Sequence, residues 1–206
     1  MYTPPDIYLG TDDFAKLVLN SNVFVDKSLF VKEFLEDNGD VVLITRPRRW
    51  GKSLNMSMLR KFFAIEVDRD GAPDLQRQSL HRKLFVGGEV ALDSGETKQL
   101  SALKIAQETD LIEGYQGQYP VISLGLKDVK GESYDEIVEK LQTVISELFK
   151  VHVHLLKSSD VTSQEKMLYR KHMQEESSEA HLQNSLYFLS ELLCRHFQKP
   201  VYILID

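Results

Sequence analysis

Gly51, Lys52 and Ser53 are the residues whose types and order could do phosphate chemistry. They end the stretch R-P-R-R-W-G-K-S, as in a phosphate-binding loop of the pattern G-x-x-x-x-G-K-[ST]. In such a loop the glycine lets the backbone approach the phosphates, the lysine reaches the terminal phosphate oxygens, and the hydroxyl binds Mg²⁺. Arg46 stands where the general pattern begins with glycine, so the tripeptide alone is a weak signal.

The flanking segments place this tripeptide where a phosphate loop belongs. D-V-V-L-I-T, over 40–45, is a short apolar run that predicts a strand buried on both faces of a parallel sheet. K-S-L-N-M-S-M-L-R-K-F-F-A-I follows with a helical stripe of Leu54, Met58, Leu59, Phe62 and Phe63. A loop between a strand and a helix N-terminus presents unpaired N–H groups to an anion. The pattern therefore favours phosphate binding over a plain capped helix start.

A carboxylate at the end of a second apolar strand would complete the site. Residues 201–205, V-Y-I-L-I, are followed by Asp206. In nucleotide-hydrolysing P-loop proteins, an aspartate in this position helps to hold Mg²⁺. We therefore expect Ser53 and Asp206 to be the metal-binding residues. The alternative is that Asp206 is simply a solvated acid at a sheet edge.

Basic residues crowd the loop of an otherwise acidic chain. Arg46, Arg48, Arg49 and Lys52 put four positive charges into seven residues, while the whole protein carries a net charge of -6. These side chains could hold phosphates, form a nucleic-acid patch, or belong to a solvated turn. The acidic balance argues against a surface that coats nucleic acid, because such proteins carry a basic face.

The remaining elements predict an α/β fold. Helices are expected over 24–39, 81–85, 102–113 and 181–198. Asp26 or Ser28 should cap the helix over 24–39. Two more helices should follow an N-cap at Ser133 and a capping box formed by Thr162 and Glu165. The segment Y-P-V-I-S-L-G-L, over 119–126, is a further strand candidate, besides 40–45 and 201–205. Cys194, the only cysteine, is expected to be buried. With no leader-like or membrane-spanning run, we expect a cytoplasmic protein without membrane partners.

Several of these segments together resemble the AAA-ATPase-like domain family. They are V-F-V-D-K-S-L-F-V-K-E-F-L, L-I-T-R-P-R-R-W-G-K-S-L-N-M-S-M-L-R-K-F-F, Y-P-V-I-S-L-G-L-K-D-V-K, S-L-Y-F-L-S-E-L-L and V-Y-I-L-I-D. Arginine before the proline is the rule in that family, so Arg46 departs only from the general pattern. The resemblance spans nearly the whole chain and is loosest over about 66–118.

The resemblance implies a P-loop NTPase fold, a three-layer α/β/α arrangement with a mainly parallel sheet, over 1–206, with 66–118 as an irregular helical insertion. ATP and Mg²⁺ are the implied cofactors. The nucleotide-binding residues would be Arg46, Pro47, Arg48, Arg49, Trp50, Gly51, Lys52, Ser53 and Leu54. Asp26 and Lys27 are assigned to the adenine side by analogy only, and the competing interpretation makes Asp26 a helix cap.

The family pattern continues past Asp206 with a catalytic glutamate, a sensor residue, an arginine finger and often a nuclease-like domain. The resemblance therefore implies a fragment that ends at the Walker B motif, the apolar strand over 201–205 followed by Asp206, and that hydrolyses ATP slowly, if at all. The resemblance implies that the full-length form could be a homo-oligomer and could meet nucleic acid through the nuclease-like domain. The competing hypotheses are a nucleic-acid-binding module using the basic loop from Arg46 to Lys52, and a non-catalytic interaction domain.

Overall fold

A computed structural model describes residues 10–21, 23–45, 47, 49–92 and 95–206. Within these residues the helices are α1 Phe14–Asn20, α2 Phe30–Glu36, α3 Lys52–Phe63, α4 Leu75–Val86, α5 Thr109–Tyr115, α6 Tyr134–Val151, α7 Ser163–Met173, α8 Glu179–Gln183 and α9 Ser185–Phe197. The strands are β1 Gly88–Ala91, β2 Thr97–Leu100, β3 Val121–Leu124 and β4 Tyr202–Ile205. Two short 3₁₀ helices cover Lys104–Gln107 and Val153–Lys157. The fold is mixed α/β, as predicted.

The chain forms two compact units, each with its own core. The first unit consists of Met1–Ala64 and Leu75–Gln118, and the second of Ile65–Asp74 and Tyr119–Asp206. The prediction of one P-loop domain over 1–206 with an insertion over 66–118 stays a prediction. No helix in the described part of the chain has the length and apolarity needed to cross a membrane.

Aromatic side chains build the core of the first unit around α3. Phe62 and Phe63 are fully buried, and the ring of Phe62 meets that of Phe85 from α4 edge to face at 5.2 Å. Phe14 of α1 stacks on Phe85 at a centroid distance of 5.2 Å. Leu59, also fully buried, lies on the same face of α3. The predicted apolar stripe of α3 is thus what fixes this helix in place.

The second unit is built on a parallel pair of strands. β3 and β4 pair in parallel, with Ile122 opposite Ile203 and Leu124 opposite Ile205. Ile122 and Leu124 pack into a core with buried residues of α6, α7 and α9. The α6 cap at Ser133 and the capping box at the start of α7 are both formed as predicted.

The predicted strand over 40–45 is wrong. No regular secondary structure forms there, and Val41 and Leu43 are 87% and 83% exposed. No backbone–backbone hydrogen bond joins 41–45 to any other described residue. An apolar, β-branched run favours a strand only when a neighbouring strand supplies the ladder. The sheets formed by the described residues have two strands each, one antiparallel and one parallel, and neither includes this segment.

Two smaller expectations also differ from the structure, and one element was not predicted. A hairpin of β1 and β2 lies within 66–118, where no strand was expected. The expected helix over 181–198 is divided at Asn184, which lies between α8 and α9. Cys194 is exposed, because it lies on the opposite side of α9 from the buried Leu189, Leu192 and Leu193.

Candidate functional site

The start of α3 is where the predicted phosphate loop meets the fold. Beyond the apolar contacts of this helix, Ser57 Oγ accepts a hydrogen bond of 3.0 Å from the backbone N–H of Phe14. This bond ties α3 to the first residue of α1. The helix is therefore held along its length by the core of the first unit, and its N-terminus has a defined position.

Gly51 gives the helix its start. It is the N-cap residue and has φ +77°, a left-handed conformation that a side chain disfavours. The first intrahelical bond runs from Asn55 N–H to Gly51 C=O at 2.9 Å, and no side chain caps the helix. Among the described residues, the N–H groups of Ser53 and Leu54 have no partner. A helix start with open donors and no acidic side chain in its first turn suits an anion.

The loop before Gly51 is also left-handed at one non-glycine residue. Arg49 has φ +68°, so two residues of the tripeptide Arg49–Gly51 adopt this conformation. Trp50 between them is 59% exposed, and Pro47 is exposed as well. The predicted nucleotide-binding residues Arg46 and Arg48 lie outside the described residues.

One buried polar group near this loop was not foreseen. Asn55, one turn into α3, is 3% exposed, and its Nδ2 has no hydrogen-bond partner within the described part of the chain. Buried amide donors are normally paired, so an orphan donor marks a place with unmet hydrogen-bonding capacity. The sequence shows an asparagine within the apolar stripe of α3, but it does not reveal that this side chain is buried without a partner. The side chains of Lys52, Ser53 and Leu54 are half-buried.

Asp26 accepts hydrogen bonds from one neighbouring and one distant backbone N–H group. Its Oδ1 accepts from Ser28 N–H and its Oδ2 from Lys104 N–H, both at 2.8 Å. Partial burial raises the pKa of the Asp26 carboxyl, but these backbone hydrogen bonds outweigh that effect and leave the pKa lowered. Ser28 Oγ accepts from Ile105 N–H at 3.1 Å.

Neither predicted cap therefore acts on α2, whose N-cap is Leu29 without a side-chain bond. Instead, Asp26 and Ser28 fasten the 3₁₀ helix Lys104–Gln107 to the segment before α2. This connection spans more than 70 residues of sequence, and no local pattern signals it. The adenine-side assignment of Asp26 and Lys27 stays a prediction.

Asp206 continues the parallel pairing of the second unit. Its backbone N–H donates to Leu124 C=O at 2.9 Å, and its C=O accepts from Leu126 N–H at 2.8 Å. The residue itself is exposed. Asp206 thus follows an apolar strand as expected, while Ser53 belongs to the first unit. Their joint role as metal ligands stays a prediction.

The comparison with protein families bears on the loop. Residues 8–87 match the AAA-ATPase-like family, whose description is "Predicted AAA-ATPase". The resemblance to this family is confirmed for that segment. The match covers less than half of the chain, includes the whole loop and α3, and excludes β3, β4 and Asp206. No curated protein and no solved structure matches the chain.

Proposed function

We propose that this chain binds ATP through the loop and helix start of Arg46, Pro47, Arg48, Arg49, Trp50, Gly51, Lys52, Ser53 and Leu54. The observation that carries the proposal is the left-handed Gly51 opening a helix whose Ser53 and Leu54 N–H groups have no partner among the described residues. The family match over 8–87 supports nucleotide use by the same segment.

Each group in the loop has a chemical task. The N–H groups of Ser53 and Leu54 would donate to phosphate oxygens, and the helix dipole would add a favourable field. Lys52 would neutralise the terminal phosphates as a mobile point charge. Ser53 Oγ and the Asp206 carboxylate would hold Mg²⁺. When bound, the ion would supply positive charge that offsets the charge of the phosphates.

The proposal includes a three-layer α/β/α arrangement around a mainly parallel sheet. Its support is the parallel pair of β3 and β4, with α6 and α9 packed in the core on one face. A parallel pair normally belongs to a larger sheet with helices on both faces. The P-loop fold is thus proposed as the framework of the nucleotide site.

Trp50 provides a direct assay, because it is the only tryptophan and lies in the loop at 59% exposure. We expect ATP with Mg²⁺ to change Trp50 fluorescence in a saturable way. Lys52→Ala should weaken binding by roughly 10- to 150-fold, since a charge-assisted hydrogen bond contributes about 1.5–3 kcal/mol. Isothermal titration calorimetry would provide an independent measurement of the dissociation constant.

Lys16→Ala is the matched control, because Lys16 is an exposed lysine of the same unit. It should bind ATP like the unmodified chain. Equal affinity of the unmodified chain and Lys52→Ala would refute the proposal, provided that both are folded by circular dichroism.

A nucleic-acid module is the second candidate, and the exposure of Trp50 beside Arg49 favours testing it. Aromatic side chains between basic ones stack on single-stranded bases. A labelled single-stranded oligonucleotide should then bind without nucleotide, and its affinity should fall steeply with salt. ATP binding without oligonucleotide binding would support the first proposal over this one.

A further inference from the structure

Asn55 is a polar residue on the face of α3 that packs into the core of the first unit. It stands three residues before Met58 and four before Leu59, so the three side chains share one face of the helix. All three are buried, at 3%, 2% and 0% exposure. The Asn55 Nδ2 atom is inaccessible to solvent and has no hydrogen-bond partner within the described part of the chain. An amide donor is therefore buried without the hydrogen bond that normally accompanies burial.

The position of Asn55 in α3 determines where its amide can find an acceptor. A helical side chain lies over the turn that precedes its own Cα, and for Asn55 that turn begins at Gly51. The Gly51 C=O already accepts a hydrogen bond of 2.9 Å from the Asn55 backbone N–H, and Gly51 has no side chain to pair with the amide. The residues just before Gly51 are thus the next source of acceptors.

Arg49 and Trp50 have the complementary deficiency. Their C=O groups make no hydrogen bond to any described residue. Arg49 also has φ +68°, a left-handed conformation that is costly for a residue with a side chain. Such a conformation persists where surrounding contacts hold it. The start of α3 therefore combines a buried donor without an acceptor and two loop carbonyls without a donor.

We propose that Asn55 is a positioning residue for the nucleotide site. When nucleotide is bound, its Nδ2 donates to the backbone C=O of Arg49 or Trp50 and holds the loop against the start of α3. A phosphate that arrives from solvent does not reach the inaccessible Nδ2 atom, whereas the loop is part of the same chain and precedes the same helix. Asn55 thus acts on the phosphates through the loop. This inference rests on the proposed ATP binding.

Asn55→Leu separates this role from a purely structural one, because leucine is similar in size and lacks the donor. Without nucleotide, the variant should unfold at a temperature about 2–4 °C higher than the unmodified chain, since a buried donor without a partner has been removed. The ATP affinity measured by calorimetry should nevertheless fall by roughly 3- to 10-fold, which corresponds to the loss of one neutral hydrogen bond. A residue that only supports the fold would not give these opposite effects.

Trp50 fluorescence reports directly on the loop. At saturating ATP with Mg²⁺, the fluorescence change should be smaller in Asn55→Leu than in the unmodified chain, because the loop is no longer held in one position. Met58→Leu is the matched control, since Met58 is another buried residue of the same helix face and the substitution approximately conserves volume. This control should keep both the ATP affinity and the size of the fluorescence change.

The other outcomes decide between this inference and the proposed function. If Asn55→Leu binds ATP as tightly as the unmodified chain, the positioning role is wrong, while the loss of binding in Lys52→Ala would still support the nucleotide site. The role is also wrong if Asn55→Leu fails to fold or unfolds at a lower temperature without nucleotide. An unchanged fluorescence amplitude at saturation overturns the action through the loop. If the unmodified chain does not bind ATP, the proposed function and this inference fail together.

Discussion

Mild acid should destabilise this protein through two buried histidines of the second unit. His154 and His172 are 4% and 2% exposed, and the Nε2 atom of each has no partner among the described residues. Burial lowers the pKa of each from an ordinary value of 6.5 to about 4. For His154, repulsion from His196 lowers the pKa further, while attraction to Asp68 raises it.

The direction of the effect follows from proton binding. Between pH 6.5 and 4 the unfolded chain binds a proton at each of these histidines that the folded chain does not. Stability is therefore fully present above pH 6.5 and is lost as the pH falls towards 4. At pH 5 the loss is about 2 kcal/mol for each histidine relative to pH 7.5. Carboxylates with ordinary pKa values remain mostly ionised over this interval.

His154→Phe isolates one of the two contributions. The ring of His154 already lies 5.8 Å from that of Phe197, so an apolar ring fits the surroundings. Urea denaturation followed by circular dichroism at pH 7.5, 6.5 and 5.0 should show that the variant loses about 2 kcal/mol less than the unmodified chain. His181→Gln serves as the comparison: it removes a charge that lowers the pKa of His172, so it should reduce the pH dependence by less than His154→Phe does. An unchanged pH dependence in His154→Phe would refute the reasoning.

Three further substitutions test local features of the fold. Gly51→Ala should cost about 1–2 kcal/mol of unfolding free energy in a urea titration and weaken ATP binding, because the left-handed conformation disfavours a Cβ. Thr162→Ala removes a capping box and should lower the unfolding free energy by about 1 kcal/mol in the same assay. Asp26→Ala leaves the N–H groups of Ser28 and Lys104 without their acceptor and should cost about 1–3 kcal/mol. If Asp26 has no adenine contact, calorimetry should show ATP affinity unchanged in Asp26→Ala.

Features encoded within a few residues were predictable from the sequence. The Ser133 cap, the Thr162/Glu165 capping box and the helix beginning at Lys52 depend on neighbours within one turn. The apolar stripe of α3 also predicted its buried face, because helical periodicity determines which side chains share a face. Within the candidate site, the sequence indicated the Gly51–Lys52–Ser53 order and the α3 start, but not the left-handed backbone of Arg49.

Features that depend on distant partners were not predictable. The bonds from Asp26 to Lys104 and from Ser28 to Ile105 join residues that no short pattern connects. For the segment over 40–45, the sequence predicted an element whose partner it could not specify. Its composition predicted a buried strand, yet a strand requires a ladder partner, and the described residues supply none. Composition therefore indicated the capacity of this segment to pair, while the partner decides whether the strand forms.

This distinction separates the two parts of the predicted nucleotide site. The start of α3 presents the N-cap Gly51 and the N–H groups of Ser53 and Leu54, which have no partner among the described residues. The apolar core of the first unit holds this helix in place. These groups therefore form although 40–45, the described segment before the loop, has no regular secondary structure. An anion can be bound by the helix start alone, because its donors and dipole are local to the first turn. Metal binding by Ser53 and Asp206, which stays a prediction, is a second and separate requirement, because the donors of the helix start can bind an anion without a metal ion. ATP affinity in the absence of Mg²⁺ thus reports on the helix start, and the additional affinity gained with Mg²⁺ reports on the second requirement.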